Sequence, residues 1–405
     1  MNYIKVKEAA EKWGVTPRRV QDLCKQGKII GAQLWERTWM LPADAQYPGR
    51  EEQRTNMPMP RKTPFLTMTD LYNTPGTARQ AAAALSGQPE AKALFEADIA
   101  YSQGNIDAVY EHAQYFLREH TGFYAVISAG MLLSLCAMWK GDLEMWKKAN
   151  AHICEAPCKN EMDKSIVEMS LAASNLSVRN LVGFPEWFTK GRYGRLPADA
   201  HPAAKVYYVK CLMVFAQELA LDHVALESVE GLGLMKLLPH TIEPMIVQAQ
   251  VDRTVIVEIY LRLLCAIIYQ NGGDMVRAAE HVDAAIALAL PDRLLGILAE
   301  HRRQLGYLLD DRLALQDPEA LKQLKELHKQ LQQGWTKLHN AVTERSVSAA
   351  LTVREREVAR LAAFGYSDQE IADQLQLSKS TVKSLISMAK NKTGTMKRSE
   401  LAAFI

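Results

Sequence analysis

Lys379, Lys383, Ser387 and Lys390 recur three or four residues apart near the end of a 405-residue chain, with Ser380 and Ser384 beside them. Ammonium groups in such a row neutralise phosphates and short hydroxyl side chains reach base edges, so the pattern suits docking into the major groove of double-stranded DNA. Val382, Leu385, Ile386 and Ala389 occupy the other side of the same helical wheel and form its inward face. Ser378 is placed to cap this helix by accepting from a free N–H of its first turn.

The segment before it supplies two more marked helix starts. Thr352 with Glu355, and Ser367 with Glu370, are capping boxes in which hydroxyl and carboxylate reciprocally satisfy free backbone N–H groups. The first helix carries Val358, Leu361 and Ala362 at helical spacing and stops before Gly365; the second presents Ile371, Ala372 and Leu375. A tight Gln376-Leu377 link joins it to the basic helix. By pattern alone this is a helix-turn-helix, or a helical hairpin with a solvated basic face.

The wording of the segment decides between them. L-T-x-R-E-x-E-V from Leu351, G-x-S-D-x-E-I-A from Gly365 and L-S-x-x-T-V-K from Leu377 closely resemble the LuxR-type helix-turn-helix domain over about 55 residues. The resemblance implies a four-helix domain in which Thr381, Val382 and Lys383 lie against DNA. It also implies that Lys392 meets a backbone phosphate and that the last helix, 398–405, helps form a homodimer. Leu385 stands where the family usually has His, and Thr393 where it usually has Leu, so base preference does not carry over.

A second small unit opens the chain. Val6, Ala9, Ala10 and Trp13 recur at helical spacing up to Gly14; Thr16 then caps a helix with Pro17 at its first position. Val20, Leu23 and Cys24 face in, while Arg18, Arg19, Gln21, Asp22 and Lys25 face out. The stretch from Ile29 to Leu41 then alternates around Glu36-Arg37 as a β-hairpin. Y-I-x-V-K-E-A-A-E, V-T-x-R-x-V and G-x-I-x-G-A resemble the winged helix-turn-helix of the MerR and excisionase type over about 45 residues. That resemblance places Arg18, Arg19, Gln21 and Lys25 in a major groove and Arg37, on the wing, against backbone or minor groove. Lys5 stands where relatives often carry a Ser or Thr cap, so the first helix lacks one.

Four regions follow from these readings: a winged unit over 1–47, a proline-rich linker over 48–77, a helical array over 78–342 and the C-terminal head over 343–405. The linker is expected to be extended, docked through Phe65, Leu66 and Leu71. In the array, apolar stripes mark helices near 91–102, 106–119, 125–139, 143–153, 165–180, 203–221, 255–270 and 275–288. Turns recur at Gly104-Asn105, Gly141-Asp142 and Gly273-Asp274, a period that resembles tetratricopeptide repeats, with degenerate copies around Gly183 and Asp222. Stacked helix pairs build a surface for a small-molecule or protein ligand. Tyr101, Tyr110, Tyr115, Phe116, Phe123, Tyr124, Trp139 and Trp146 are more readily core than ligand-binding groups. A last helix over 318–342, with Leu321, Leu324, Leu327 or His328, and Leu331, either pairs with a twin or closes the array.

The net charge of +2 divides unevenly, about +4 in the first 50 residues, about −5 in the middle and about +3 in the last 60, as expected of ends that meet a polyanion. No signal-peptide core and no apolar run of about 20 residues is evident, which leads to an expectation of a cytoplasmic protein with no membrane partner. Six scattered cysteines read as free thiols, and His152, Cys154 and Cys158 lack a fourth zinc ligand, so no metal and no cofactor are expected. No phosphate-binding loop, G-x-S-x-G elbow or H-E-x-x-H motif is found, and no catalytic residue is expected. The expectation is a mostly α regulator of transcription, with RNA polymerase a further candidate partner. The alternative is an interaction scaffold or recombination accessory factor that uses the winged end on DNA.

Overall fold

The computed structural model describes residues 3–25, 29, 31–35, 38–43, 45, 72–119, 122–222, 229–344, 351–393 and 395–404; side chains at 216–222, 229–236, 353 and 403–404 are not described. The chain divides into two compact units, Met1–Met59 and Pro60–Ile405.

In the first unit, strand β1 (Tyr3–Lys5) leads into helices α1 (Val6–Trp13) and α2 (Pro17–Lys25), followed by β2 (Gln33–Trp35) and β3 (Thr38–Pro42). The strands are antiparallel in the order β1-β3-β2, with Trp35 opposite Thr38 and Lys5 opposite Met40. Gly14 ends α1 in a left-handed conformation (φ 67°) that a side chain would strain. The Thr16 hydroxyl accepts from Arg19 N at 3.3 Å, whereas Lys5 gives α1 no side-chain cap. Val6, Ala9, Val20, Leu23 and Leu41 form the core. The expected bend at Glu36 and Arg37 lies outside the described residues, though the strands on either side pair as a hairpin. Strand β1 was not foreseen because three residues are too few to show alternation.

Among the described residues, the second unit is first tied down at Tyr72. Its hydroxyl donates to Asp292 Oδ2 (2.6 Å), and Gly76 N (2.7 Å) and Ala78 N (3.3 Å) converge on the same oxygen. The anchors expected at Phe65, Leu66 and Leu71 lie outside the described residues. Helices follow at α3 (Ala78–Ala84), α4 (Pro89–Gln103), α5 (Ile106–Glu119), α6 (Phe123–Lys140), α7 (Leu143–Cys154), α8 (Glu161–Ser177), α9 (Glu186–Thr189), α10 (His201–Asp222), α11 (Val229–Asp252), α12 (Val255–Asn271), α13 (Met275–Ala289), α14 (Leu295–Leu305), α15 (Tyr307–Gln316) and α16 (Pro318–Thr343). Runs α4 to α7 and α10 to α13 pack each helix on the next. Asp142 and Asp274 cap α7 and α13 with their carboxylates. Helix α11 was not among the expected segments, because it runs through Pro239 and Pro244, residues that ordinarily end a helix.

Helices α14 and α16 cross these runs. α14 packs on α4 and α12, and α16 on α6 and α14. Their glycines permit backbone contact: a Cβ on Gly296 would fall 2.5 Å from Tyr101 O, and one on Gly334 would fall 1.9 Å from Trp139 O. The α16 seam is therefore used inside the chain, with Leu324, His328 and Leu331 buried. Helix α6 is long and apolar enough to cross a membrane (mean hydropathy 1.5 over 18 residues), but 78% of it is buried, as in a core helix. Phe116, Phe123 and Trp139 are buried as well, while Tyr101 lines a cavity of about 160 Å³ framed chiefly by α6, α8, α10, α12, α14 and α16.

Candidate nucleic-acid interface

Three helices, α17 (Val353–Ala363), α18 (Asp368–Gln374) and α19 (Lys379–Thr393), and a 3-10 turn at Ser399–Phe404 form the C-terminal domain. Both capping boxes are made. Glu355 N donates to Thr352 Oγ1 (3.2 Å) while Thr352 N donates to Glu355 Oε2 (2.8 Å). Glu370 N and Ser367 N complete the same exchange at 3.3 and 2.7 Å. Thr381 N donates to Ser378 Oγ (3.1 Å), so α19 starts where its cap predicts. The turn before it needs one left-handed residue, and Gln376 takes that conformation (φ 52°).

These caps and a compact core fix the roll of α19. Val382, Ile386 and Ala389 are buried against Val358, Leu361, Ala362, Ile371 and Leu401, with Leu385 half-buried beside them. Lys379, Ser380, Thr381, Lys383, Ser384 and Ser387 are exposed, and Lys390 is half-buried. The Ser378 hydroxyl lies 2.7 Å from both Ser380 Oγ and Thr381 Oγ1, a cluster of short polar groups at the helix start. Val382, with no exposed surface, is placed to hold this helix on the core, not to touch DNA. Lys392 reaches back 2.8 Å to Glu355 Oε2. Burial would raise the Glu355 carboxyl, but Lys392 and the Thr352 cap outweigh it and hold it below the usual range. The helix expected over 398–405 is a 3-10 turn, anchored by Leu401 and by Arg398, whose guanidinium reaches Asp368 Oδ1 (2.8 Å).

Residues 349–405 match the family model of bacterial regulatory proteins, luxR family (GerE). The C-terminal domain is a LuxR-type helix-turn-helix. The chain thus carries the DNA-binding head of a transcription regulator. No curated protein and no solved structure matches the chain.

The LuxR-type head is held to the helical array by residues that sequence reasoning did not single out. Arg356, Glu357 and Arg360 of α17 are all buried, at 3%, 3% and 8% exposure. Glu357 Oε1 accepts from Tyr307 N (3.0 Å), beside Gly306, where a Cβ would lie 1.7 Å from that oxygen. Arg360 Nη1 donates to Gln304 O (3.0 Å). Gln332, its amide turned with oxygen toward α17, accepts from Arg356 Nη1 (2.6 Å) and Nη2 (2.7 Å) and donates to His328 Nε2 (3.0 Å). Beside α18, the Tyr366 hydroxyl donates to Asn271 O (2.7 Å), and Gln374 donates to Gln270 O. Burial pushes the Glu357 carboxyl up in spite of Arg354, and burial with the nearby Arg179 charge pushes Arg356 down to about 10. The only sequence signal was the run of charges at 354–357, which also serves the capping box and so looked explained.

In the first unit Arg18, Gln21 and Lys25 are exposed and Arg19 is half-buried, all on α2; Arg37 lies outside the described residues. Elsewhere, a carboxylate, a thiol and an imidazole from Glu243, Cys265 and His281 come within 4.8 Å of one another. Burial pushes the Cys265 thiol up to about 12, and Glu243 already accepts from the Tyr269 hydroxyl, so this cluster reads as packing. Cys154 and Cys158 are exposed free thiols.

Proposed function

We propose that this chain regulates transcription by placing α19 in the major groove, under the control of a helical array that senses a small molecule or a partner. In this reading Lys379, Ser380, Thr381, Lys383, Ser384 and Ser387 face the groove, and Lys390 meets phosphate. Lys392 is engaged by Glu355 in this structure and reaches phosphate only by leaving it. The N-terminal unit, through Arg18, Arg19, Gln21 and Lys25, adds a second DNA contact in the manner of a winged helix-turn-helix. The array acts as a tetratricopeptide-like sensor, and the head works as a homodimer in the cytoplasm.

The observation that carries the reading is the division of labour within the head. Charged groups of α17 are bonded to the array, while the basic, hydroxyl-rich face of α19 is exposed. A change in the array therefore has a route of bonded groups to the domain that reads DNA. The test is to select bound sequences from a random DNA pool with the intact chain and measure their affinities for the intact chain, Lys383→Ala and Glu357→Ala. Weaker binding by Lys383→Ala and altered binding by Glu357→Ala support the reading. Unchanged affinities for both would remove it.

A further inference from the structure

The wall of the cavity holds one balanced ion pair, Lys210 of α10 with Glu300 of α14. Glu300 Oε1 accepts from the hydroxyls of Tyr101 (2.6 Å) and Tyr260 (2.7 Å), while Oε2 accepts from Lys210 Nζ at 3.2 Å. The same ammonium lies 4.4 Å from the centroid of the Tyr260 ring, a cation–π contact. Burial would raise the Glu300 carboxyl, but Lys210 and its other neighbours outweigh burial and hold it below the usual range, so it is ionised near pH 7. Hydrogen-bonding capacity is nevertheless left on both partners. Oε1 is filled by two short donors, whereas among the described residues Oε2 has one longer contact and the ammonium uses one of its three N–H groups. Both side chains keep some exposure, 22% for Lys210 and 14% for Glu300. Elsewhere the wall offers Met131, Met138, Met213 and Leu264, and methionine adapts its shape to aromatic rings. Trp335 is committed to packing: His339 stacks on it with centroids 4.6 Å apart, and its indole N–H donates to Ser177 O (2.9 Å).

We propose that this cavity binds a small neutral phenol or aromatic alcohol, whose O–H donates to Glu300 Oε2 and accepts from Lys210 Nζ while its ring lies among the methionines. A hydroxyl is donor and acceptor in one atom, so a single group meets the open capacity of both partners. Neutrality follows from the balance of the pair: an acid would bring a second carboxylate to Glu300, and an amine a second cation to Lys210. The size follows from the volume of about 160 Å³, since an apolar cavity of about 150 Å³ accepts one benzene. This inference rests on the sensing role proposed above and names its ligand class.

The site also has a mechanical link to the head. Glu300 lies on α14 about one turn before Gln304, whose carbonyl accepts from Arg360 of α17 (3.0 Å). A hydroxyl that bridges Glu300 on α14 to Lys210 on α10 ties the two helices together and opposes local opening of α14. The carbonyl that holds the head is then better ordered, and the ligand tightens docking of α17; by linkage, docking tightens the ligand.

The experiment uses the intact chain with p-cresol and benzyl alcohol, against toluene, which keeps the ring without the hydroxyl, and benzoate, which carries a carboxylate instead. Binding is followed by calorimetry and by hydrogen exchange of residues 295–305 and 353–363. Each hydroxyl compound is expected to bind at least tenfold more tightly than toluene or benzoate and to slow exchange in α14 and α17. The double variant Lys210→Met with Glu300→Leu removes both charges together and leaves no buried ion alone. Checked for folding by circular dichroism, it is expected to bind toluene still and to lose the preference for a hydroxyl. Failure of both hydroxyl compounds to bind, binding no tighter than that of toluene or benzoate, or a hydroxyl preference retained by the folded double variant overturns the site. If the double variant does not fold, the comparison of the four compounds on the unaltered chain decides. Affinity for selected DNA, measured with and without p-cresol, separates the two readings. Hydroxyl-selective binding with no change in α17 exchange or DNA affinity leaves the site standing and overturns sensing. Absent binding of the hydroxyl compounds, with DNA affinity still altered by Glu357→Ala, overturns the site alone.

Discussion

Helices α17 and α19 belong to one small domain and both carry charge at short intervals, yet they meet opposite environments. On α19 Lys379 and Lys383 are exposed and the short hydroxyls at its start cluster together, the surface proposed above to meet phosphates and bases. On α17 Arg356, Glu357 and Arg360 are buried, and each has a backbone or amide partner on the array. The difference teaches that charge density alone does not mark a DNA face; the geometry around each charge does. An exposed ammonium loses little on folding and keeps its attraction for a polyanion, whereas a buried guanidinium or carboxylate is tolerated only where specific partners replace water.

That contrast can be broken from the α17 side, and the largest effect should come from acid. His301 and His328 have folded pKa values near 4, below the ordinary 6.5, so the folded state disfavours their protonation. Stability is then fully present above about pH 6.5 and is lost as pH falls toward 4, by up to several kcal/mol for the pair. Protonation also turns His328 Nε2 from an acceptor for Gln332 into a donor, which frees the amide that holds Arg356. Urea unfolding across that window, with hydrogen exchange on 353–363, should show α17 loosening as pH falls; constant stability from pH 6.5 to 4 would contradict the buried-histidine account. Glu357→Ala comes next. It leaves Tyr307 N–H without its acceptor and removes a partner of Arg354, so the intact chain should lose about 3 kcal/mol in denaturant unfolding. Ser367→Ala removes one capping box and should cost about 1 kcal/mol, confined to the head and visible as faster exchange at the start of α18.

Much of this comparison was legible in the sequence, and unevenly so. The caps at Thr352, Ser367 and Ser378 are local chemistry, written within four residues, and the structure makes each of them. The periodic apolar positions of α19 likewise fix which residues turn outward, since a helix has only one way to bury Val382, Ile386 and Ala389 together. What the sequence did not disclose is long-range. The partners of Arg356, Glu357 and Arg360 lie 24, 50 and 56 residues away, at Gln332, Tyr307 and Gln304, and two of the three contacts are to backbone, which carries no residue signature. The cavity is hidden for the same reason: Arg303 and Trp335 come from α14 and α16 and Arg179 from the turn after α8, with no common spacing. Helix α11 was missed on a local rule that tertiary packing overrode, because Pro239 and Pro244 sit within it.

The smallest effect on stability belongs to α19, and it tests the central claim most directly. Lys383 is exposed, so Lys383→Ala should change unfolding free energy by less than about 0.5 kcal/mol. If this residue neutralises one phosphate, the slope of log affinity against log salt concentration should fall by about one for DNA selected by the intact chain. A lowered slope with unchanged stability is the predicted result. An unchanged slope and affinity across salt concentrations would contradict the placement of α19 in the groove.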